Sequence, residues 1–234
     1  MLFISPPFGN YIHLHKTTPI TGSFTLEPRT GLFMQIIKTL RYSFEHKGWI
    51  NKIGLRNKGL DWALKNIAED KIISIAILHN DEIPKIIEKL PENRDIEINV
   101  SCPNAEKKMI QSGLNKFIND KRKWCIIKIS PCATNEEIDN YFHMGFRQFH
   151  CGNTLPIKKG GLSGQKLIPY NEEKIKYIKQ KYPQCDIIAG GGITNYKCLQ
   201  NYKFVGANHF SISTLLFHPF LFSKFYYDYL KHSP

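Results

Sequence analysis

Acidic residues are scarce in this sequence of 234 residues: 20 Asp and Glu stand against 32 Lys and Arg, a formal net charge of +12. No apolar run approaches the roughly 20 residues a membrane-crossing helix needs. No basic-then-apolar leader with a small-residue cleavage site opens the chain, so neither a span nor a secretory leader is expected. Six cysteines (102, 125, 132, 151, 185 and 198) form no Cys-x-x-Cys pair and follow no regular spacing. This argues against a disulfide framework and a resident iron–sulfur cluster, and points to reduced thiols in a cytoplasmic setting. No cluster of His, Asp and Glu falls at metal-ligand spacing and no paired carboxylates mark a hydrolase, so no metal is expected. The positive charge invites a nucleic-acid partner. Yet the lysines are scattered through Asn- and Ile-rich sequence, without a zinc finger, an RNP-type aromatic strand or a long basic run. The charge is read instead as attracting an anionic small molecule, with neither nucleic acid nor membrane as partner.

What the chain does have is rhythm. Residues 1–234 read as a single domain. Met1 to Thr21 carries little pattern, Ile20 to Thr25 looks like a strand, Leu32 to Tyr42 has helical spacing, and Trp49 to Gly59 is too rich in Gly and Asn for regular structure. From Gly59 onward, helical stretches (60–68, 83–90, 111–120, 136–145, 171–181, 195–202) alternate with short apolar runs (72–78, 96–100, 124–129, 148–153, 186–190, 208–213), and 215–230 closes as an amphipathic helix. Strands alternating with helices make βαβ units on a parallel sheet. Six strands after Gly59, plus one or two before it, suit an α/β (β/α)8 TIM-type barrel better than the competing open doubly wound sheet. The aromatic tail Phe217 to Tyr229 leaves a homodimer surface open beside ordinary core packing.

In such a barrel, chemistry collects just after each strand. Ile96 to Val100 is a β-branched run ended by Pro103, leaving Asn99, Ser101, Cys102 and Asn104 at one strand end. Lys128 closes an otherwise apolar strand and calls for an anionic partner, unless it merely snorkels to water. Gly190-Gly191-Gly192 lies between a strand and a helix, where backbone N–H groups can approach a phosphate, and Ser213-Thr214 follows the last strand in the same manner. A tight turn is the plainer reading of those glycines. Gly160 to Gly164 reads as a flexible loop, either wrapping a ligand or lying on the surface.

Together these pieces resemble the dihydroorotate dehydrogenase family of FMN-dependent barrels. The resemblance rests on Thr25-Leu26-Glu27-Pro28-Arg29, the stretch from Asn51 to Gly59, Asn99 to Asn104, Lys128 to Pro131, Asn153-Thr154, Gly160 to Gly164 and Gly191-Gly192-Ile193, in the family's order. Cysteine at 102 is similar to the soluble class 1 branch; class 2 usually has serine there. The resemblance implies oxidation of dihydroorotate to orotate in pyrimidine biosynthesis, with Cys102 as the base and Lys128 beside the flavin. It implies substrate binding by Asn51, Gly54, Leu55, Asn99, Asn104, Asn153 and Thr154. FMN would be held by Gly22, Ser23, Asn99, Lys128, Gly164, Gly191, Gly192, Ser213 and Thr214.

The chain departs from the family in three places. The stretch before Gly22 is short, so the first β/α unit is expected to be missing or degenerate. Gly22 stands where the family commonly has a lysine, and the 72–78 strand lacks a terminal asparagine, with only Ser74 or His79 nearby. Two other readings therefore stay open: a degenerate barrel that binds a pyrimidine or phosphate without redox turnover, and a flavin oxidoreductase acting on another dihydropyrimidine.

Overall fold

Residues 72–76 and 96–99 are buried at every position, as strands covered on both faces must be. The computed structural model describes residues 1–100 and 113–232. In chain order its first half runs β1 (Leu2–Ile4), β2 (Thr17–Phe24), α1 (Leu32–Thr39), β3 (Arg41–Ser43), β4 (Gly48–Asn51), α2 (Leu60–Asn66), β5 (Ile72–Ala76), α3 (Glu82–Lys89) and β6 (Ile96–Asn99). The second half runs β7 (Cys125–Ile129), α4 (Asn135–His143), β8 (Gln148–Cys151), β9 (Leu155–Ile157), β10 (Gly160–Gly164), α5 (Ile168–Lys181), β11 (Asp186–Gly190), α6 (Tyr196–Phe204), β12 (His209–Ile212) and α7 (Pro219–His232).

Eight strands close into a parallel barrel in the order β1-β12-β11-β8-β7-β6-β5-β2, the expected (β/α)8 architecture. Alternate residues along each strand face opposite ways. One set, including Ile73, Ile75, Ile98, Ile127 and Phe149, joins the large core cluster with helix residues such as Ile83, Ile86, Ile138 and Ile175. The other set fills the barrel. Its apolar layer is Phe3, Ile20, Ile72, Ile126 and Ile188 with Trp124. Further along the same strands Ser74, Glu97, Lys128 and His150 are polar yet buried.

The first β/α unit is degenerate rather than missing. β1 takes a full place, pairing Leu2 with Phe210 on one side and with Thr17 on the other. The helix that should follow is reduced to one 3-10 turn, Phe8–Asn10. That turn lies so close on the barrel that a Cβ on Gly9 would stand 2.1 Å from the Ile20 carbonyl oxygen and 2.3 Å from that of Ile4.

Three further expectations are corrected. Residues 49–51 and 160–164, read as irregular loops, fall in β4 and β10, and 41–42, read as the end of a helix, fall in β3. With β9 they form an antiparallel sheet in the order β3-β4-β10-β9, built by pairing across the chain rather than by local propensity. The helix expected over 111–120 lies partly outside the described residues, and what is described there is a single 3-10 turn, Leu114–Phe117. The closing helix is divided: Thr214–Phe217 is a 3-10 turn and α7 opens on Pro219, whose fixed φ suits a helix start. Among the described residues, no helix is long and apolar enough to cross a membrane.

Candidate active site

Strand register sets the site. Asn99 on β6 pairs with Lys128 on β7, which pairs with His150 on β8, so one row of the barrel presents these three side chains on one face. Glu97, two residues before Asn99, shares that face one level down. It is fully buried, as is His150 at 1% exposure.

Glu97 gathers the row. Its Oε1 accepts from Ser74 Oγ at 2.7 Å and from Lys128 Nζ at 3.3 Å, and its Oε2 lies 2.5 Å from His150 Nδ1. Burial pushes the Glu97 carboxyl upward, but Lys128 and His150 outweigh it and hold the group down at about 2. Burial first, and the Lys128 charge second, keep His150 below the ordinary imidazole range against the pull of Glu97. A neutral His150 serves Glu97 as a hydrogen-bond donor, so Lys128 is the charge that keeps the carboxylate ionised.

A carboxylate only accepts, so the His150 proton sits on Nδ1 and its lone pair on Nε2. Nε2 is buried with no hydrogen-bond partner among the described residues. It faces two glycines: a Cβ on Gly152 would come within 2.8 Å of it, and one on Gly190 within 2.9 Å.

From Glu97 the network climbs to the barrel mouth. Ser74 Oγ lies 2.8 Å from Ser23 Oγ, and Asn99 Nδ2 donates to Ser23 Oγ at 3.0 Å. Asn153 Nδ2 donates to Asn99 Oδ1 at 3.0 Å, and the Thr154 N–H donates to Asn153 Oδ1 at 2.8 Å. Ser23, Asn99, Lys128, Asn153 and Thr154 are thus brought together. The antiparallel sheet reaches the same place. Gly161 pairs with Asn51, and a Cβ on it would meet Thr154 Oγ1 at 2.7 Å, so glycine lets β10 lie directly on Thr154.

The other candidates take their places around this network. Asn51 Oδ1 accepts from Ile53 N–H at 3.3 Å, and Gly54 and Leu55 follow in left-handed conformations at φ of 69° and 56°. The Gly22 N–H donates to Asn10 Oδ1 at 2.7 Å, tying the reduced first connection to the mouth. Gly191 and Gly192 have φ of 77° and 78°, and a Cβ on Gly192 would stand 3.1 Å from the Gly164 carbonyl oxygen. Ser213 Oγ donates to the Pro6 carbonyl at 2.9 Å, and Thr214 begins the 3-10 turn. Among the described residues, neither of these two is hydrogen-bonded to the Glu97 network. Cys102 and Asn104, with Ser101, lie outside the described residues.

Sequence reasoning did not single out Glu97, His150, Asn10 or Asn57, and it weighed Ser74 only as a stand-in for a missing asparagine. The signal for Glu97 and His150 was present: each is a polar residue between two apolar strand neighbours, at the two-residue spacing that shares a face with Asn99 and Gly152.

Known proteins share this fold. The family model described as dihydroorotate dehydrogenase matches residues 10–148. The catalytic subunit of dihydroorotate dehydrogenase B (NAD(+)) from Thermotoga petrophila is 25% identical, with 93% of each chain covered. Dihydroorotate dehydrogenase A (fumarate) from Limosilactobacillus reuteri is 26% identical over 87% of this chain and 77% of the relative. The solved structure of DHODH from Eimeria tenella in complex with ferulenol superimposes with a TM-score of 0.70 at 19% identity, covering 92% of this chain and 74% of that one, a likeness of fold.

Proposed function

This chain belongs to the dihydroorotate dehydrogenase family and is an oxidoreductase, and from that premise we propose that it oxidises dihydroorotate to orotate in pyrimidine biosynthesis with FMN as cofactor. The observation that carries the reading is the mouth network, in which Asn99, Asn153 and Lys128 converge above a buried carboxylate. Carboxamides offer both donor and acceptor, which suits the alternating N–H and C=O edge of a pyrimidinedione.

The chemistry of the donor set fits FMN. Lys128 supplies a fixed positive charge, Ser23 and Asn99 supply polar edges, and Gly191 and Gly192 keep the turn after β11 free of side chains. Gly22, Ser23, Asn99 and Lys128 would hold the ring side, and Gly164, Gly191, Gly192, Ser213 and Thr214 the phosphate side. FMN, when bound, supplies the acceptor for the hydride that leaves C6 of dihydroorotate.

The chain's own residues do the rest. Asn51, Gly54, Leu55, Asn99, Asn104, Asn153 and Thr154 orient the pyrimidine ring. Cys102 accepts the C5 proton as general base, a task for a thiolate in a closed pocket. Lys128, held by Glu97, favours negative charge developing beside it.

The test is anaerobic. Protein loaded with FMN should lose its oxidised-flavin absorbance when dihydroorotate is added. The variant Cys102→Ala should bind FMN and fail to bleach. Bleaching by a different dihydropyrimidine alone would shift the substrate, and protein that takes up no FMN would leave a binding barrel without turnover.

A further inference from the structure

The ionised state of Glu97 gives the mouth network a direction. A carboxylate cannot donate, so Ser74 Oγ donates to Glu97. Its one proton is then spent, and Ser23 Oγ must be the donor between the two hydroxyls. Ser23, its own proton now spent, accepts from Asn99 and so requires the Nδ2 end of that carboxamide. Asn99 Oδ1 is left to accept from Asn153 Nδ2, and Asn153 Oδ1 to accept the Thr154 N–H. Each step follows from the one before. Lys128 and His150, approaching Glu97 from β7 and β8, hold the carboxylate in the ionised form on which the order depends.

We propose that Glu97 is the positioning residue of this site: acting through Ser74 and Ser23, it sets which way the Asn99 and Asn153 carboxamides face, and therefore which amide edge a bound pyrimidine meets. Glu97 lies too deep to touch the ligand. Its influence is carried by three successive hydrogen bonds from β6 through β5 and β2 back to the end of β6. The neutral isostere keeps the order of the chain. In Glu97→Gln the amide oxygen stays at the Oε1 position, because Lys128 has only protons to offer there, and the NH2 turns to His150, whose other tautomer accepts it. Ser74 still donates, so the variant alters His150 and leaves the direction of the chain intact.

The proposal rests on the dihydroorotate reading only for its probe, orotate. Orotate is titrated calorimetrically into FMN-loaded wild type, Glu97→Gln and Ser74→Ala, and the side-chain amide signals of Asn99 and Asn153 and the ring nitrogens of His150 are followed by NMR. Ser74→Ala cuts the chain while leaving Glu97 with Lys128 and His150. It should weaken orotate by roughly tenfold, the scale of one misplaced hydrogen bond, and move both amide signals while the His150 signals stay. Glu97→Gln should move the His150 signals while both amide signals stay. Unchanged orotate affinity with unmoved amide signals in Ser74→Ala overturns the proposal. Ser23→Ala, which cuts the chain nearer the surface, decides the matter in the same way if Ser74→Ala does not fold. If wild-type protein binds no orotate, the dihydroorotate reading fails, and the amide signals alone judge the chain: moved supports it, unmoved overturns it.

Discussion

His150 Nδ1 stands 2.5 Å from Glu97 Oε2, and both side chains are sealed inside the barrel. Because burial and Lys128 lower the imidazole's proton affinity, unfolding lets His150 take up a proton that the folded state refuses. Because Lys128 and His150 lower that of Glu97, unfolding does the same for the carboxylate. Both groups bind more protons in the unfolded chain, so stability rises with pH across their windows. On acidification the His150 contribution starts to be lost below its ordinary 6.5, and that of Glu97 between 4.5 and about 2. Each window costs up to about 1.4 kcal/mol per pH unit. Urea titrations at stepped pH should show the first loss in wild type and not in His150→Gln. A flat profile between pH 7 and 5 contradicts the assignment.

The reduced first connection makes its own prediction. Gly9 leaves no room for a methyl group against the carbonyls of Ile4 and Ile20, both of which belong to barrel strands. Gly9→Ala must lift the Phe8–Asn10 turn, and with it Asn10, which holds the Gly22 N–H. A loss of about 2 kcal/mol or more in urea unfolding is expected, the scale of overpacking in a closed site. FMN affinity should fall too, because Gly22 moves.

How far the sequence foretold this molecule depends on the element. The six strands after Gly59 were legible because strands buried on both faces are continuous apolar runs bounded by helices. β1 was not, since three residues cannot show a period. β3, β4, β9 and β10 were not either: these short segments become strands only by pairing with one another. At the site, Lys128 was legible as an inward lysine needing an anion, but its partner was not. Glu97 sits 31 residues away in sequence, and only the barrel register brings the two side chains face to face.

The thiols should separate cleanly by reactivity. Burial pushes Cys125 and Cys151 up to about 12, so they are protonated at neutral pH, whereas Cys132 is exposed. A thiol reacts as its thiolate. Brief maleimide labelling of native protein followed by peptide mapping should modify Cys132 and leave Cys125 and Cys151 unmodified until denaturant is added. Rapid native labelling of Cys151 would mean that the β8 end of the barrel opens.

Asn57 yields the sharpest test of how the mouth is held in place. Its Nδ2 donates to Thr25 Oγ1 at 2.9 Å and to the Leu55 carbonyl at 2.7 Å, while its Oδ1 accepts from Gly59 N–H at 2.7 Å and Thr25 N–H at 3.2 Å. One carboxamide therefore pins the β2 exit to the loop carrying Gly54 and Leu55. Asn57→Asp keeps the shape and the two acceptor bonds but turns two donors into an acceptor that faces the Leu55 carbonyl. Leaving those partners unsatisfied should cost about 2–4 kcal/mol in urea unfolding. Orotate affinity should fall as well, because Leu55 loses the contact that holds its left-handed backbone at φ of 56°. If Asn57→Asp unfolds at the wild-type urea concentration, the loop is held by something other than this side chain. If it is destabilised yet binds orotate as wild type does, Gly54 and Leu55 do not belong to the binding surface.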